Sequence, residues 1–245
     1  MQDEIEDVED NTLSDFSCLW TLGLDFNRLT HVKQSWFTGL KELSVLTLSN
    51  NRIDQIDPGC FVNMKYLFKL NLQHNQLQRI DAAWFAGRSL LMYLYLGYNK
   101  NEIEDVEENT LSEFSFLSTL GLDFNRLTHA KKNWFTGLKK LSFLSLSNNK
   151  ITQVEPGCFT NLFSLVLLNL EHNQLQVVDP TWFFGQAVGP ALIPDKRDIL
   201  YLYLGYNNIR SIPAWAFQDM NMIELHLEKN ALSCLDRELI QGNVF

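Results

Sequence analysis

The sequence predicts an α/β repeat solenoid, a curved horseshoe with a concave parallel β-sheet and a mostly irregular convex side. Three observations support this prediction. The pattern LxxLxLxxN recurs along almost the whole chain, most copies begin 24 residues apart, and a phenylalanine usually follows 18 positions after the first leucine. Stacked repeats share one continuous core, so residues 1–245 form a single domain of about nine repeats with partial ends.

The LxL segment of each copy predicts one short strand. Its two leucines point to one side of an extended chain and the residue between them points to the other side. We therefore expect one parallel strand per repeat, with the leucines in the core. The nine copies begin at Leu19, Leu43, Leu67, Leu91, Leu117, Leu141, Leu165, Ile199 and Met222.

An asparagine ends each copy, where the chain turns away from the sheet. A side-chain amide at this place can satisfy backbone groups that the turn leaves without a partner. The repeats therefore predict a ladder of nine asparagines. They are Asn27, Asn51, Asn75, Asn99, Asn125, Asn149, Asn173, Asn207 and Asn230.

The recurring phenylalanine predicts a second apolar column on the convex side, with Leu111 in its place in the fourth repeat. A tryptophan precedes the phenylalanine in four repeats, and we expect these tryptophans to be packing residues. The column comprises Phe37, Phe61, Phe85, Phe135, Phe159, Phe183 and Phe217, and the tryptophans are Trp36, Trp84, Trp134 and Trp182.

A longer period indicates an internal duplication of four repeats. Residues 5–98, the first block, resemble residues 103–206, the second block; Lys100 and Asn101 lie between them. The second block also contains ten additional residues, which predict a protruding loop at about 186–198, because Pro190, Pro194 and the run DKRD do not suit a strand.

The two ends carry no cysteine-rich cap pattern, and solenoids need their terminal faces covered. Either the caps were removed or the open ends pair with something, and our hypothesis is self-association through an exposed terminal edge strand. The first residues, MQDEIEDVEDNTL, have acidic residues where a signal peptide has basic and then apolar ones.

Charge and composition exclude several function classes. The chain has 29 acidic and 20 basic residues and a formal net charge of -9, which disfavours nucleic acid as a partner. It contains no apolar stretch of the roughly 20 residues that a transmembrane segment needs.

Motifs that carry chemistry are also absent from the sequence. None of HExxH, GxSxG, GxxxxGK[ST] or GxGxxG occurs, so we expect no catalytic residues, cofactor or metal. His74 and His172 occupy equivalent positions but lie four strands apart, about 19 Å, and cannot share one ion. The four cysteines have no ligand-like spacing and are interpreted as free, mostly buried thiols.

Two acidic runs, residues 3–10 and 101–108, could offer oxygens to calcium. They lack EF-hand spacing, and we interpret them as a solvated convex face whose Ile and Val point inward.

The residues between and beside the leucines predict a concave binding surface. The fourth and eighth strands share the heptapeptide YLYLGYN and so present three tyrosines each. Tyrosine gives a large contact area with little side-chain entropy to lose, which favours recognition; alternatively, aromatic residues occur here because they favour strands. The candidate ligand-binding residues are Tyr93, Tyr95, Tyr98, Tyr201, Tyr203, Tyr206, Asp25, Phe26, Asp123, Phe124, His74 and His172.

These repeats resemble leucine-rich repeat proteins, specifically the 24-residue typical class LxxLxLxxNxLxxLxxxxFxxLxx. The chain is similar to Toll-like receptor ectodomains, cell-adhesion receptors and variable lymphocyte receptors. The resemblance implies a non-catalytic, extracellular or cell-surface module that binds a protein or glycan in innate immunity or adhesion. The alternative is an intracellular leucine-rich repeat scaffold or an enzyme-regulating subunit that uses the same surface.

Overall fold

The computed structural model describes residues 4–85, 90–99, 103–107, 109–184, 199–214, 216–217, 220–235 and 239. Its main element is a nine-stranded parallel sheet in which one strand from each repeat pairs with the next. The predicted repeat solenoid is therefore confirmed. The loop predicted at about 186–198, and Lys100 and Asn101 between the two blocks, lie outside the described residues.

The strands are very short, because each repeat contributes only its LxL segment to the sheet. In chain order the strands within the described residues are β1 (Thr21–Gly23), β2 (His31–Val32), β3 (Val45–Thr47), β4 (Gln55–Ile56), β5 (Lys69–Asn71), β6 (Arg79–Ile80), β7 (Tyr93–Tyr95), β8 (Asp105–Val106), β9 (Thr119–Gly121), β10 (His129–Ala130), β11 (Phe143–Ser145), β12 (Gln153–Val154), β13 (Leu167–Asn169), β14 (Tyr201–Tyr203) and β15 (Glu224–His226).

The sheet has the order β1-β3-β5-β7-β9-β11-β13-β14-β15, and the core leucines face each other across it in register. Leu22 pairs with Leu46, and Leu70 with Leu94. Leu46, Leu70 and Leu94 have no exposed surface. The residues on either side of each central leucine must then face away from the core, which defines the concave surface.

The convex side is less regular. Short strand pairs β2-β4, β6-β8 and β10-β12 alternate with 3-10 helices at Gln34–Phe37, Ala82–Phe85 and Lys132–Phe135, and α1 spans Thr181–Phe184. In the part of the chain that the structure describes, no helix has the length and apolar character needed to cross a membrane.

The asparagine ladder forms as predicted. Asn75 is representative: its Nδ2 donates to the carbonyls of Leu48 (2.9 Å) and Leu72 (3.1 Å), and its Oδ1 accepts the backbone N–H of Ile53 (3.0 Å). Asn125 makes the corresponding donor bonds, but its Oδ1 has no hydrogen-bond partner among the described residues. The ladder thus has one incomplete position, at the start of the second block.

The phenylalanine column also forms. Ring centroids of Phe37, Phe61 and Phe85 follow each other at 6.1 and 5.3 Å. In the fourth repeat Leu111 is buried as predicted, but the ring that contacts Phe85 belongs to Phe114, at 4.9 Å. All four tryptophans are buried, which confirms that they are packing residues.

The cysteines are free, as predicted, but only half of them are buried. Cys60 and Cys158 occupy equivalent core positions in the two blocks, and burial raises the pKa of both thiols. Cys18 and Cys234 are exposed, close to the first and last strands of the sheet. The expectation of mostly buried thiols is wrong for these two, because the segments that flank the sheet have fewer neighbours to cover them.

The apolar residues of the acidic runs differ between the blocks. Ile103 and Val106 are fully buried, which confirms that they point inward, and Val8 is nearly so. Ile5 is 41% exposed and departs from that expectation. The first repeat lies at the edge of the sheet and therefore has a neighbouring repeat on only one side.

Candidate ligand-binding site

Two groups of tyrosines lie on the concave side. We define the first tyrosine patch as Tyr93, Tyr95 and Tyr98, and the second tyrosine patch as Tyr201, Tyr203 and Tyr206. On β7 and β14 the tyrosines flank a leucine with no exposed surface, Leu94 or Leu202. The strand tyrosines are half-buried, so each presents part of its ring to the concave surface.

The last residue of each patch lies in the turn that follows its strand, not on the strand itself. In every repeat the residue before the ladder asparagine has a positive φ, between 53° and 58°. This left-handed conformation is unfavourable for residues with a Cβ. Cross-repeat hydrogen bonds support it, as when the His74 N–H donates to Gly97 O (3.1 Å) and the Tyr98 N–H donates to Asp123 O (2.9 Å).

Because the turns repeat in register, the side chains of these residues stack along one edge of the sheet. His74, Tyr98 and Phe124 form a continuous stack, with ring centroids 4.3 and 3.9 Å apart. In the second block His172 stacks on Tyr206 at 4.2 Å. We call these stacked rings the aromatic rim. The rim brings together candidate residues that are distant in sequence.

The first tyrosine patch has a lysine on one side and a glycine on the other. Lys69 Nζ lies 5.8 Å from the centre of the Tyr95 ring, on the adjacent strand. On the other side the ring passes over Gly121, where an added Cβ would lie 3.5 Å from Tyr95 Cδ1. Burial raises the pKa of the Tyr95 hydroxyl.

The carboxylate of Asp123 lies beside this patch, above Gly97. A side chain at Gly97 would come within 2.9 Å of that carboxylate, so the glycine provides its space. Burial raises the pKa of Asp123. Its counterpart Asp25 turns the other way and accepts hydrogen bonds from Thr47 Oγ1 and from the N–H (2.8 Å) and hydroxyl (2.5 Å) of Ser49.

The structure therefore separates the candidates of the first repeat from the tyrosine patches. Asp25 ties the first repeat to the second, and Phe26 is 73% exposed in the first turn. Both lie at the end of the sheet that begins with β1, three strands from β7.

The second tyrosine patch has an acidic environment. The Tyr203 hydroxyl donates to Glu224 Oε2 (3.0 Å), and its ring meets His226 edge-on at 4.6 Å. Burial, followed by this hydrogen bond, raises the pKa of Tyr203. Glu171 and Glu228 approach from opposite sides, so that His226 Nδ1 lies 3.9 Å from Glu171 Oε1 and 3.3 Å from Glu228 Oε1.

Sequence reasoning did not identify Glu224, His226 and Glu228 as site residues. The signal that could have found them is the register, because Tyr201 pairs with Glu224 and Tyr203 with His226. The imidazole and the carboxylates of Glu171 and Glu228 bring ligand atoms within 4.8 Å of one another, a spacing that could hold a metal ion. Exposed acidic groups also approach each other in this way without one.

The patches belong to an open surface. Two depressions among the described residues lie elsewhere, one lined by residues such as Arg126, Lys131 and Trp134, the other by residues such as Phe37, Cys60 and Tyr66. An open sheet face suits an extended or convex partner better than an enclosed small molecule.

Comparison with known proteins agrees with the repeat pattern. The family model described as Leucine rich repeat matches residues 17–77, 66–120 and 115–175. No curated protein matches the sequence.

Three solved structures show the fold. A chain of the Toll–Spatzle complex, described as a molecular hub in Drosophila development and innate immunity, matches with a TM-score of 0.83 and 22% identity. The match covers 98% of this chain and 32% of that one, so this chain spans about a third of it. The leucine-rich repeat domain of APL1B matches with a TM-score of 0.66 and 18% identity over 96% and 77% of the two chains. Internalin C2 from Listeria monocytogenes matches with a TM-score of 0.61 and 20% identity, over 91% of this chain and 84% of that one.

Proposed function

Since the chain belongs to the leucine-rich repeat family, whose domains typically mediate protein–protein interaction, we propose that it is a non-catalytic recognition module. Its concave face binds a protein or glycan ligand. The observation that supports this most directly is the pair of tyrosine patches, because the repeat scaffold requires the leucines and the asparagine of YLYLGYN but not its three tyrosines.

The tyrosines suit this role energetically. Several rings already pack against neighbours, Tyr98 and Tyr206 in the stacked rim and Tyr203 against His226, so less side-chain entropy remains to be lost when a ligand binds. Tyrosine is enriched among interface residues whose truncation costs about 2 kcal/mol or more. A rigid sheet with pre-positioned aromatic side chains therefore favours recognition over a purely structural role.

The setting that we propose is an extracellular or cell-surface receptor of the innate-immune or adhesion type. The similarity to a chain of the Toll–Spatzle complex, which is described as a molecular hub in development and innate immunity, supports it. A protein ligand is favoured over a glycan by the same comparison.

A binding screen followed by alanine substitution tests the proposal. The chain, displayed as a tetramer, is screened against arrays of secreted proteins and of glycans, and each ligand found is measured with Tyr95→Ala and Tyr203→Ala. We expect at least one variant to weaken binding about tenfold or more, with an unchanged melting temperature. Tyr66→Ala, at a tyrosine that is 51% exposed outside the sheet, is the matched control. Unchanged affinity in both concave variants would remove the proposed surface.

One observation favours the alternative of an intracellular scaffold or enzyme-regulating subunit. All four cysteines are free, and two of them are exposed, which suits a reducing compartment. Expression through the secretory pathway of eukaryotic cells separates the settings: secretion of folded protein would favour the extracellular one, whereas misfolding and retention would favour the intracellular one.

A further inference from the structure

We propose that the second tyrosine patch, together with Glu171, Glu224 and Glu228, binds a lysine or arginine side chain from a basic segment of a protein partner. The inference rests on the proposed function, because it uses the same concave face. It adds the charge of the partner and places its contact in the last three repeats.

The internal duplication provides the first argument, since the two blocks place different residues around identical tyrosines. Six of the positions around the tyrosines change while YLYLGYN does not. From the first copy to the second they are Lys69 and Leu167, Gln73 and Glu171, Thr119 and Glu224, Gly121 and His226, Asp123 and Glu228, and, in the turn, Phe124 and Lys229. The lysine on the adjacent strand is lost, a lysine appears in the turn of the ninth repeat, and two additional carboxylates appear.

The lost lysine provides the second argument. In the first copy Lys69 Nζ lies 5.8 Å from the centre of the Tyr95 ring, within the range of a cation–π contact. The chain itself therefore supplies a cation to the first tyrosine patch. In the second copy Leu167 occupies this position, so the adjacent strand offers the Tyr203 ring an aliphatic side chain instead of a cation.

The third argument is the geometry of the carboxylates. Glu171 Oε1 and Glu228 Oε1 converge above Gly205, where an added Cβ would lie 3.2 and 3.1 Å from them. Glu171 follows β13 and Glu228 follows β15, and Gly205 follows β14, which lies between those two strands in the sheet. A cationic group above Gly205 could thus hydrogen-bond to both carboxylates, beside the Tyr203 ring. A guanidinium group, with five donors in a fixed fork, suits such a pair of acceptors.

The charge around the patch is only partly compensated within the chain. Among the described residues, His226 is the basic group within ion-pair distance of the three glutamates, and no lysine or arginine is. Lys229 lies nearby in the turn of the ninth repeat, at the rim position, but makes no ion pair with them in the described structure. The patch therefore presents an excess of negative charge that a basic partner complements.

A synthetic peptide probe tests this inference. The probe is a nine-residue peptide of alternating arginine and serine, measured by isothermal titration calorimetry at about physiological ionic strength. Its control replaces arginine with the neutral isostere citrulline. We expect the arginine peptide to bind and the citrulline peptide to bind at least tenfold more weakly.

Two variants with the same loss of charge distinguish the patch from general attraction to an acidic protein. Glu171→Gln/Glu224→Gln/Glu228→Gln should weaken binding of the arginine peptide tenfold or more. The control Glu42→Gln/Glu107→Gln/Glu113→Gln changes three exposed glutamates outside the sheet and should stay within about twofold. Equal weakening in both variants would overturn the proposal, because it would show that only net charge matters.

A variant of the first copy provides a gain-of-function test. Lys69→Leu/Gln73→Glu gives the first tyrosine patch the residues of the second at two positions. We expect the stoichiometry of the peptide to rise from one to two per chain. A stoichiometry that stays at one would show that these positions do not govern cation binding.

Other occupants of the patch give distinct results. Stoichiometric zinc binding without binding of the arginine peptide, or a dimer that the patch variant dissociates, would overturn the proposal in favour of a metal ion or a second copy of the chain. The proposed function is tested separately: if Tyr203→Ala weakens binding of a ligand from the array screen but the three glutamine substitutions do not, concave-face recognition stands and the basic partner does not.

Discussion

Replacing a ladder asparagine with alanine should destabilise the chain, and the loss should be larger where the Oδ1 of that asparagine accepts a hydrogen bond. Asn75 and Asn125 are a matched pair, because the Nδ2 of each donates to two leucine carbonyls, at 2.9 and 3.1 Å for Asn75 and 3.0 and 3.0 Å for Asn125. They differ at Oδ1, which accepts the Ile53 N–H at 3.0 Å in Asn75 and has no partner among the described residues in Asn125.

The size of the difference follows from these contacts. Both alanine variants lose two donor bonds, worth about 0.5–1.5 kcal/mol each. Asn75→Ala also leaves the N–H of Ile53, a residue with no exposed surface, without its acceptor, and an unsatisfied buried donor costs about 1–3 kcal/mol. We therefore expect Asn75→Ala to lower the free energy of unfolding by about 1–3 kcal/mol more than Asn125→Ala.

Urea unfolding followed by tryptophan fluorescence measures this difference, since the tryptophans of the convex side are buried. Repeat arrays can unfold in parts, so native-state hydrogen exchange is the second readout. The Ile53 amide should lose protection in Asn75→Ala and keep it in Asn125→Ala. Equal destabilisation by the two substitutions, or greater destabilisation by Asn125→Ala, would refute the assignment of the Oδ1 contact as the source of the difference.

Three further predictions use other features of the fold. Asp123→Asn should stabilise the chain at pH 7, because burial raises the folded-state pKa of Asp123 and so penalises its charged form, and the gain should shrink as the pH falls through that pKa. Asp25→Asn should destabilise the chain instead, because the Nδ2 that replaces one carboxylate oxygen cannot accept the hydrogen bond from Thr47 Oγ1. Melting temperatures between pH 4 and 7 measure both effects. Phe114→Ala should lower the free energy of unfolding in urea by about 3–5 kcal/mol, because Phe114 is fully buried. Its counterpart Phe16→Ala should lower it by less than half of that, because Phe16 is 54% exposed, and equal losses would contradict this. Self-association through a terminal edge strand should appear as a concentration-dependent sedimentation coefficient, and a monomer across a wide concentration range would rule it out.

The scaffold could be predicted from the sequence because its rules are local. A leucine every two or three residues and an asparagine at the turn specify the strand, its buried face and the ladder, as Leu70, Leu72 and Asn75 show. Each repeat obeys the same constraints, so one repeat is enough to predict most of the others.

The candidate site could be predicted only in part, since its properties depend on neighbouring repeats. Asp25 and Asp123 have the same local sequence, yet one bonds to the following repeat and the other lies above Gly97 of the preceding repeat. The heptapeptide likewise predicts the tyrosines but not their surroundings: Gly121 lies beside Tyr95 and His226 beside Tyr203. The stacking of the aromatic rim follows from a left-handed turn, which the side chains His, Tyr and Phe do not indicate.

The distribution of the four thiols has a practical consequence for measuring the shape of the horseshoe. Cys60 and Cys158 are buried, and their raised pKa leaves little thiolate to react at neutral pH. Cys18 and Cys234 are accessible and lie close to the two ends of the sheet. A donor and an acceptor dye attached to these two natural thiols would report the end-to-end distance by energy transfer, so opening or closing of the solenoid on ligand binding could be followed in the unmodified sequence.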